Sequence, residues 1–185
     1  IPHYNRSSLL EILLKSIPKN HDIQTIVVDD KSDLFHLEVI KQLKKKYNFE
    51  FYKNGGIKGP GECRNIGLEK SKGKWILFAD SDDYFFDGFY EKINRYFDTI
   101  NDVVFFSPTS LFMDTGRKAD RHLPIQKIIQ NYLKDKSRKS ELFLRYNFIA
   151  GWSKMIKKEF LINHNLKFDK TIGSEDVMLS TKIGH

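Results

Sequence analysis

In Trp75-Ile76-Leu77-Phe78-Ala79-Asp80-Ser81-Asp82-Asp83, a continuous apolar run passes without a break into three carboxylates within four residues. Trp75 to Ala79 follows Gly73 and reads as a short strand buried on both faces. Carboxylates this close repel, and each raises its neighbours' pKa unless a cation sits among them. A hard divalent cation with oxygen ligands, Mg2+ or Mn2+, supplies that charge and also holds a diphosphate. The plain alternative is a solvated acidic turn, because Asp forms turns through its own local hydrogen bonds.

Working outward, Thr25-Ile26-Val27-Val28 is a second β-branched run, and it too ends in acid, Asp29-Asp30. Ile1-Pro2-His3-Tyr4-Asn5-Arg6 reads as the carboxyl end of a first strand running into a loop. A helix with a capping box, Ser8 to Glu11, follows and stops at Pro18. Ser32 or Asp33 is placed to cap the next helix, which runs to about Tyr47, and Phe49 to Tyr52 alternates as a third strand. Strands alternating with helices predict an α/β fold, a mostly parallel central sheet with helices on both faces. In such sheets ligands bind beyond the carboxyl ends of the strands. Residues 2–6, 29–30 and 80–83 all fall at such ends, and independent solvated turns have no reason to converge on one edge.

Asn54 to Gly61 is a glycine-rich loop feeding a helix from Glu62 to Ser71. Glycine permits close backbone approach and a helix N-terminus favours an anion, although the spacing is neither a Walker A loop nor a dinucleotide fingerprint. Arg64 and Asn65 fall in the first turn, where Arg64 can pair with a phosphate or with the nearby acids. Phe85 to Phe97 reads as an amphipathic helix whose aromatics belong to the core, and Val103 to Ser107 as a strand. Pro108 to Pro124 reads as a loop or short hairpin. Ile125 to Leu133 and Ser140 to Tyr146 are short helices divided by the basic run Lys134 to Lys139. Trp152-Ser153-Lys154 precedes a strand at Met155-Ile156 and a helix at Lys158 to Asn163. Ser174 is a reasonable N-cap for a last helix, with Glu175 and Asp176 in its first turn. Good capping explains that pair; a carboxylate kept ionised at a pocket's edge is also what a general base requires.

The 185 residues suit one domain with a real core, and no apolar run approaches a membrane span or a signal peptide. Cys63 is the single cysteine, so no intrachain disulfide is expected and a reducing compartment is. The first strand lacks a beginning and the chain stops at His185 inside an expected helix, which reads as truncation. A net charge of +7 admits a polyanion, an anionic lipid surface or an ordinary basic surface. Its scattered lysines and arginines, with no aromatic interleaving, argue against nucleic acid.

Together these blocks resemble a family 2 glycosyltransferase of the GT-A fold, over residue 1 to about residue 180. The motifs are Pro2-x-Tyr4-Asn5, Ile26-Val27-Val28-Asp29-Asp30-x-Ser32, Gly59-Pro60-Gly61-x-x-Arg64-Asn65-x-Gly67, Phe78-x-Asp80-Ser81-Asp82-Asp83, Trp152-x-Lys154 and Glu175-Asp176. The resemblance implies one GT-A (Rossmann-like) domain over 1–185, with a nucleotide-sugar-binding half at 1–107 and an acceptor-side half at 108–185. It implies a metal-dependent, inverting enzyme of bacterial surface-polysaccharide or glycolipid synthesis, moving a sugar from a nucleotide-diphospho-sugar, UDP first, to an acceptor hydroxyl.

By position, Pro2, Tyr4 and Asn5 would line the nucleotide pocket, one of Asp29 and Asp30, with Asp30 preferred, would meet the base, Gly61 would lie near the diphosphate, and Arg64 near the diphosphate or the metal-site carboxylates. Asp80-Ser81-Asp82 matches the D-x-D motif; Asp82 and Asp80 would hold Mn2+ or Mg2+. Asp176 matches the catalytic base, Glu175 would position the acceptor, and Trp152 and Lys154 would shape the donor-sugar and acceptor side. The implied setting is cytoplasmic, at the inner face of the plasma membrane, with peripheral association. Two rivals remain: a noncatalytic nucleotide-sugar-binding domain, and a sugar nucleotidyltransferase, which would carry a glycine-rich loop directly after the first strand.

Overall fold

A computed structural model describes residues 1–171 and 173–185. Its first half is a parallel three-stranded sheet, β1 (Pro2–His3), β2 (Ile26–Asp29) and β3 (Glu50–Lys53), in that order. The register sets Pro2 beside Val28 and His3 beside Asp29, so the polar ends of β1 and β2 emerge side by side. Helices α1 (Ser7–Ser16) and α2 (Leu34–Lys46) are the crossovers. They bury Leu10, Leu14, Ile40 and Leu43 against Val27 and Phe49. Leu10 and Val27 are fully buried, and each such side chain contributes about 2 kcal/mol of transfer free energy.

After α3 (Pro60–Lys70), β4 (Trp75–Leu77) begins a second sheet of order β4-β6-β5, with β5 at Val103–Phe105 and β6 at Lys154–Lys157. Here the parallel expectation gives way: β6 runs antiparallel to both neighbours, Ile76 beside Ile156 and Val104 beside Met155. Hydrophobic periodicity cannot report a pairing between residues some eighty positions apart. A groove of about 370 Å³ separates the two sheets, with Thr25 and Ile26 on one side and Trp75 to Ala79 on the other. Trp75 and Leu77 are therefore only half-buried, although Ile76, Phe78 and Ala79 are buried as expected. The Ile1 nitrogen donates to the Ile26 carbonyl at 3.0 Å beside this groove.

The C-terminal half adds α5 (Leu123–Asp135), α6 (Arg138–Asn147), α7 (Lys158–Asn163) and α8 (Val177–Gly184). Leu179 and Ile183 of α8 join Ile76, Phe78, Ile156 and Phe168 in one apolar cluster, and Phe148 with Leu144 and Ile129 forms another. Lys136 (φ 47°) ends α5, and Ser137 Oγ accepts the Ser140 N–H to cap α6. Within 108–124, Leu111 bridges Lys118 across a turn with Gly116 at φ 66°, the short hairpin of the sequence reading. Among the described residues no helix is long and apolar enough to cross a membrane.

Four local expectations are corrected. The Ser8–Glu11 capping box does not form: α1 starts a residue earlier, and Glu11 pairs with Lys46 and accepts from the Tyr47 hydroxyl. Asp33 precedes α2 without capping it, because its carboxylate accepts from Asn5 Nδ2 at 2.8 Å and Ser32 Oγ accepts the Asn5 N–H at 2.9 Å. The helix over 85–97 shrinks to α4 (Phe89–Ile93) and a 3-10 turn (Asn94–Tyr96), because Gly88 at φ 73° interrupts it; Phe86 is left exposed. Ser174 does not cap α8, whose first residue is Val177, so Glu175 and Asp176 lie before the helix rather than in its first turn.

Candidate active site

At the β1–β2 edge, His3 is buried with its Nδ1 3.0 Å from Asp29 Oδ1, and the Ser32 N–H donates to Asp29 Oδ2 at 3.0 Å. Burial pushes Asp29 up, but the hydrogen bonds from His3 and Ser32 outweigh it and hold the carboxyl below its ordinary value. Asp30 accepts from Asn54 Nδ2 at 2.7 Å and from the Gly59 N–H at 2.9 Å. Both acids thus brace the loops around the strand ends, and Asp30 is itself buried. Pro2 is buried, whereas the Tyr4 ring is 44% exposed with the Lys58 ammonium 3.6 Å from its centroid. Asn5, at φ 48°, uses its side chain to tie this loop to Asp33, a left-handed conformation that Asn tolerates.

The acidic turn closes through the Asp83 N–H on the Asp80 carbonyl at 3.0 Å, with Ser81 buried at its centre. Two arginines neutralise it. Arg6, from the β1 loop, pairs with Asp82 at the surface, and Arg64, only 6% exposed, donates to Asp80 and, through its other terminal nitrogen, to Glu175. Burial lowers the Arg64 pKa, but the two carboxylates more than restore it, so its net shift is upward. Among the described residues, Arg64 Nε is buried without a partner. Burial first, and then Asp80 and Asp82, push Asp83 up to about 6.

No group of three or more His, Cys, Asp or Glu arranged to hold a metal occurs among the described residues. In donor chemistry the turn nevertheless fits a hard cation: after burial, the nearby Asp80 and Asp82 carboxylates help push Asp83 up, and Asp82 lies 36% exposed at the surface. A cation there would replace the arginine charges now doing that work.

The chain's far end is stitched to α3. Asn65 donates from Nδ2 to the Phe168 carbonyl at 3.0 Å and accepts the Phe168 N–H at 2.9 Å, so it faces this backbone rather than the glycine-rich loop. Gly61 sits where a Cβ would stand 2.0 Å from the Asp169 carbonyl oxygen, which gives it a packing reason besides any ligand. The Asp169 N–H donates to the Glu175 carbonyl at 3.1 Å, and the Gly151 N–H to Asp176 Oδ2 at 3.1 Å. Glu175 is buried against Arg64, so its carboxylate is engaged inside the protein.

Of the two residues expected to shape the donor-sugar and acceptor side, Trp152 is half-buried and Lys154 is buried. Trp152 packs half-buried on the Phe148 cluster, and Lys154, 1% exposed, donates to the Phe148 carbonyl and to Ser180 Oγ, each at 3.0 Å. Burial draws Lys154 down to about 7 against the opposing field of Asp176. His3, Arg6, Asn54 and Ser180 went without a role in the sequence reading. Arg6 and Asn54 carried a signal, being polar beside the motifs, whereas His3 and Ser180 matter only through partners distant in the chain.

One guanidinium therefore links the acidic turn to the residue beside Asp176, across 111 positions of sequence. The model of the family described as "Glycosyl transferase family 2" matches residues 1–164, and the chain belongs to that family. It is 43% identical over 93 residues to a poly(ribitol-phosphate) beta-glucosyltransferase of Bacillus spizizenii, covering 45% of this chain and 14% of that protein. The crystal structure of Staphylococcus aureus TarS 1-349 in complex with UDP-GlcNAc superimposes with a TM-score of 0.71 at 20% identity, over 98% of this chain and 51% of that one. A mannosyltransferase of Pyrobaculum calidifontis in complex with GDP-Man and Mn2+ gives a TM-score of 0.67 at 18% identity, over 98% and 50%. The fold is thus that of the GT-A glycosyltransferases. The chain spans about half the length of these solved structures and matches a much smaller share of the curated relative.

Proposed function

We propose that this chain is the donor-binding and catalytic core of an inverting glycosyltransferase that moves a sugar from a UDP-sugar to a hydroxyl of a surface polymer or glycolipid. The single observation carrying this reading is Arg64, which joins the Asp80 turn, where a diphosphate would lie, to the Glu175-Asp176 pair, where an acceptor would arrive. UDP is favoured over GDP because the curated relative is a glucosyltransferase and a similar fold holds UDP-GlcNAc.

In this reading residues 1–107 grip the donor: Tyr4 offers an aromatic face, and Asp30 accepts from the base. Residues 108–185 present the acceptor. Asp176 takes the proton from the acceptor hydroxyl as that oxygen forms its bond to the anomeric carbon, while the bond from that carbon to the diphosphate breaks. One displacement inverts the centre, so base and leaving group lie on opposite faces of the sugar. Arg64 holds Glu175 in place beside Asp176 and keeps Asp80 in place. Asp82 and Asp80 would hold Mn2+ or Mg2+, which supplies positive charge to the departing diphosphate. The net charge of +7 supports peripheral attachment to an anionic membrane face, the cytoplasmic one in this reading.

Calorimetric titration of UDP with and without Mn2+, repeated on Asp82→Ala, tests the donor site. Metal-dependent binding that the substitution abolishes is expected, and indifference to UDP, GDP and dTDP alike would sink the reading. Asp176→Ala separates a transferase from a binding domain: donor affinity stays within about twofold while UDP release from UDP-GlcNAc or UDP-glucose falls by at least ~100-fold.

A further inference from the structure

A lysine buried to 1% exposure is costly, and a methionine of similar length would fill the space between Phe105 and Phe148 without that cost. What the amine adds is two hydrogen bonds. It donates to the Phe148 carbonyl, just past the end of α6, and to Ser180 Oγ in α8, each at 3.0 Å. Ser180 Oγ donates onward to the Ile149 carbonyl at 2.6 Å, so the amine and the hydroxyl hold two consecutive carbonyls of one loop. Two residues further along that loop, the Gly151 N–H donates to Asp176 Oδ2 at 3.1 Å. On the other side, the Ser180 N–H donates to the Asp176 carbonyl at 2.8 Å, placing Asp176 one turn below the hydroxyl that Lys154 grips. Lys154 therefore ties together the loop that orients the Asp176 carboxylate and the helix that follows it.

We propose that Lys154 is a positioning residue for Asp176, setting its carboxylate through Ser180 and the 148–151 loop without touching substrate. The proposal rests on the reading of Asp176 as the base. Its logic is geometric. Without the amine, the Phe148 carbonyl and the Ser180 hydroxyl lose their shared donor, the loop is free to shift, and the Gly151 N–H moves with it. A displacement of about 1 Å at a reacting group is enough to lower turnover on the order of 100-fold. The donor-side residues Asp29, Asp30, Asp80 and Asp82 make no hydrogen bond to this loop, so donor binding is left intact.

The test uses Lys154→Met, which keeps the stem and removes the amine, with Ser180→Ala, Asp176→Asn and the double variants. Turnover is read as UDP release from UDP-GlcNAc and UDP-glucose, donor affinity by titration of UDP, and loop order by amide exchange at Gly151. Lys154→Met is expected to lower kcat on the order of 100-fold with donor KM and UDP affinity within about twofold, and Ser180→Ala to lower kcat about 10-fold. Exchange protection at Gly151 falls in both. Because Lys154 acts through Asp176, Lys154→Met combined with Asp176→Asn is no slower than Asp176→Asn alone, within about threefold. Multiplying effects, an unchanged kcat in Lys154→Met, or a rise in KM that matches the loss of kcat would each overturn the proposal. If Asp176→Asn keeps full turnover, the base reading fails and the proposal with it, whereas a kcat loss in Asp176→Asn with none in Lys154→Met condemns the proposal alone. Should Lys154→Met fail to fold, Ser180→Ala alone and with Asp176→Asn gives the same comparison.

Discussion

Replacing Gly61 with alanine places one methyl group where the backbone of Asp169 already passes. The Cβ would stand 2.0 Å from the Asp169 carbonyl oxygen and 3.1 Å from Glu175 Cβ. A carbon–oxygen contact settles near 3.3 Å, so one backbone must retreat by about 1.3 Å. The obstructing atom belongs to the main chain, which puts the overpacking cost at the upper end of its range, about 3 kcal/mol. Alanine recovers up to ~1 kcal/mol through helix propensity and a less flexible unfolded chain. The net loss is about 2 kcal/mol, a fall in Tm of about 4–8 °C for a chain of this size. Gly67→Ala is the matched control in the same helix: its Cβ would meet only Val28 Cγ2 at 3.9 Å, ordinary contact, so that variant should gain stability. Calorimetric melting of both variants beside the parent measures the pair. A Gly61→Ala protein melting within ~1 °C of the parent, or above it, would refute the close approach of residue 169 to α3. Since the retreating segment also carries the Asp169 N–H bonded to the Glu175 carbonyl, turnover should fall in Gly61→Ala and stay unchanged in Gly67→Ala.

Arg64→Met should destabilise by about 3 kcal/mol, because Glu175 is left buried without its cation, and urea unfolding should show Glu175→Gln recovering about 1 kcal/mol of that loss. A loss under ~1 kcal/mol would show the pair to be dispensable. For Lys154, the folded value lies well below the unfolded one, so the unfolded chain binds the extra proton between about pH 7 and the ordinary lysine range. Stability from this group is least below pH 7 and rises with pH across that window. The urea midpoint of the parent minus that of Lys154→Met should climb from pH 7 to pH 9, and a flat or falling difference would contradict a depressed lysine.

Glycine and charge account for much of what the chain alone made legible. Apolar runs ending in acid at Asp29-Asp30 and Asp80-Asp82 located β2 and β4, although the two strands lie in separate sheets and Asp29 and Asp30 are buried. The proline and glycines of 59–61 located the start of α3. Pairing was not legible in the same way. Nothing in Lys154 to Lys157 announces that the strand runs antiparallel between β4 and β5, since the direction of a strand leaves no mark on its own residues.

The sequence by itself determined which residues have the chemistry for a donor site: the acidic turn, Tyr4 and Asn5, Arg64 and the Glu175-Asp176 pair are matters of residue type and spacing. Only the tertiary structure decided what each of them touches. It chose the acids over a phosphate as the partners of Arg64 and made it a bridge between Asp80 and Glu175, buried Lys154 in the interior, and moved Glu175 and Asp176 out of the helix they precede. The physical reason is that a side chain's type sets which bonds it can make, whereas its partners are set by long-range packing, as with the 111 positions between Arg64 and Glu175. No local pattern encodes that distance.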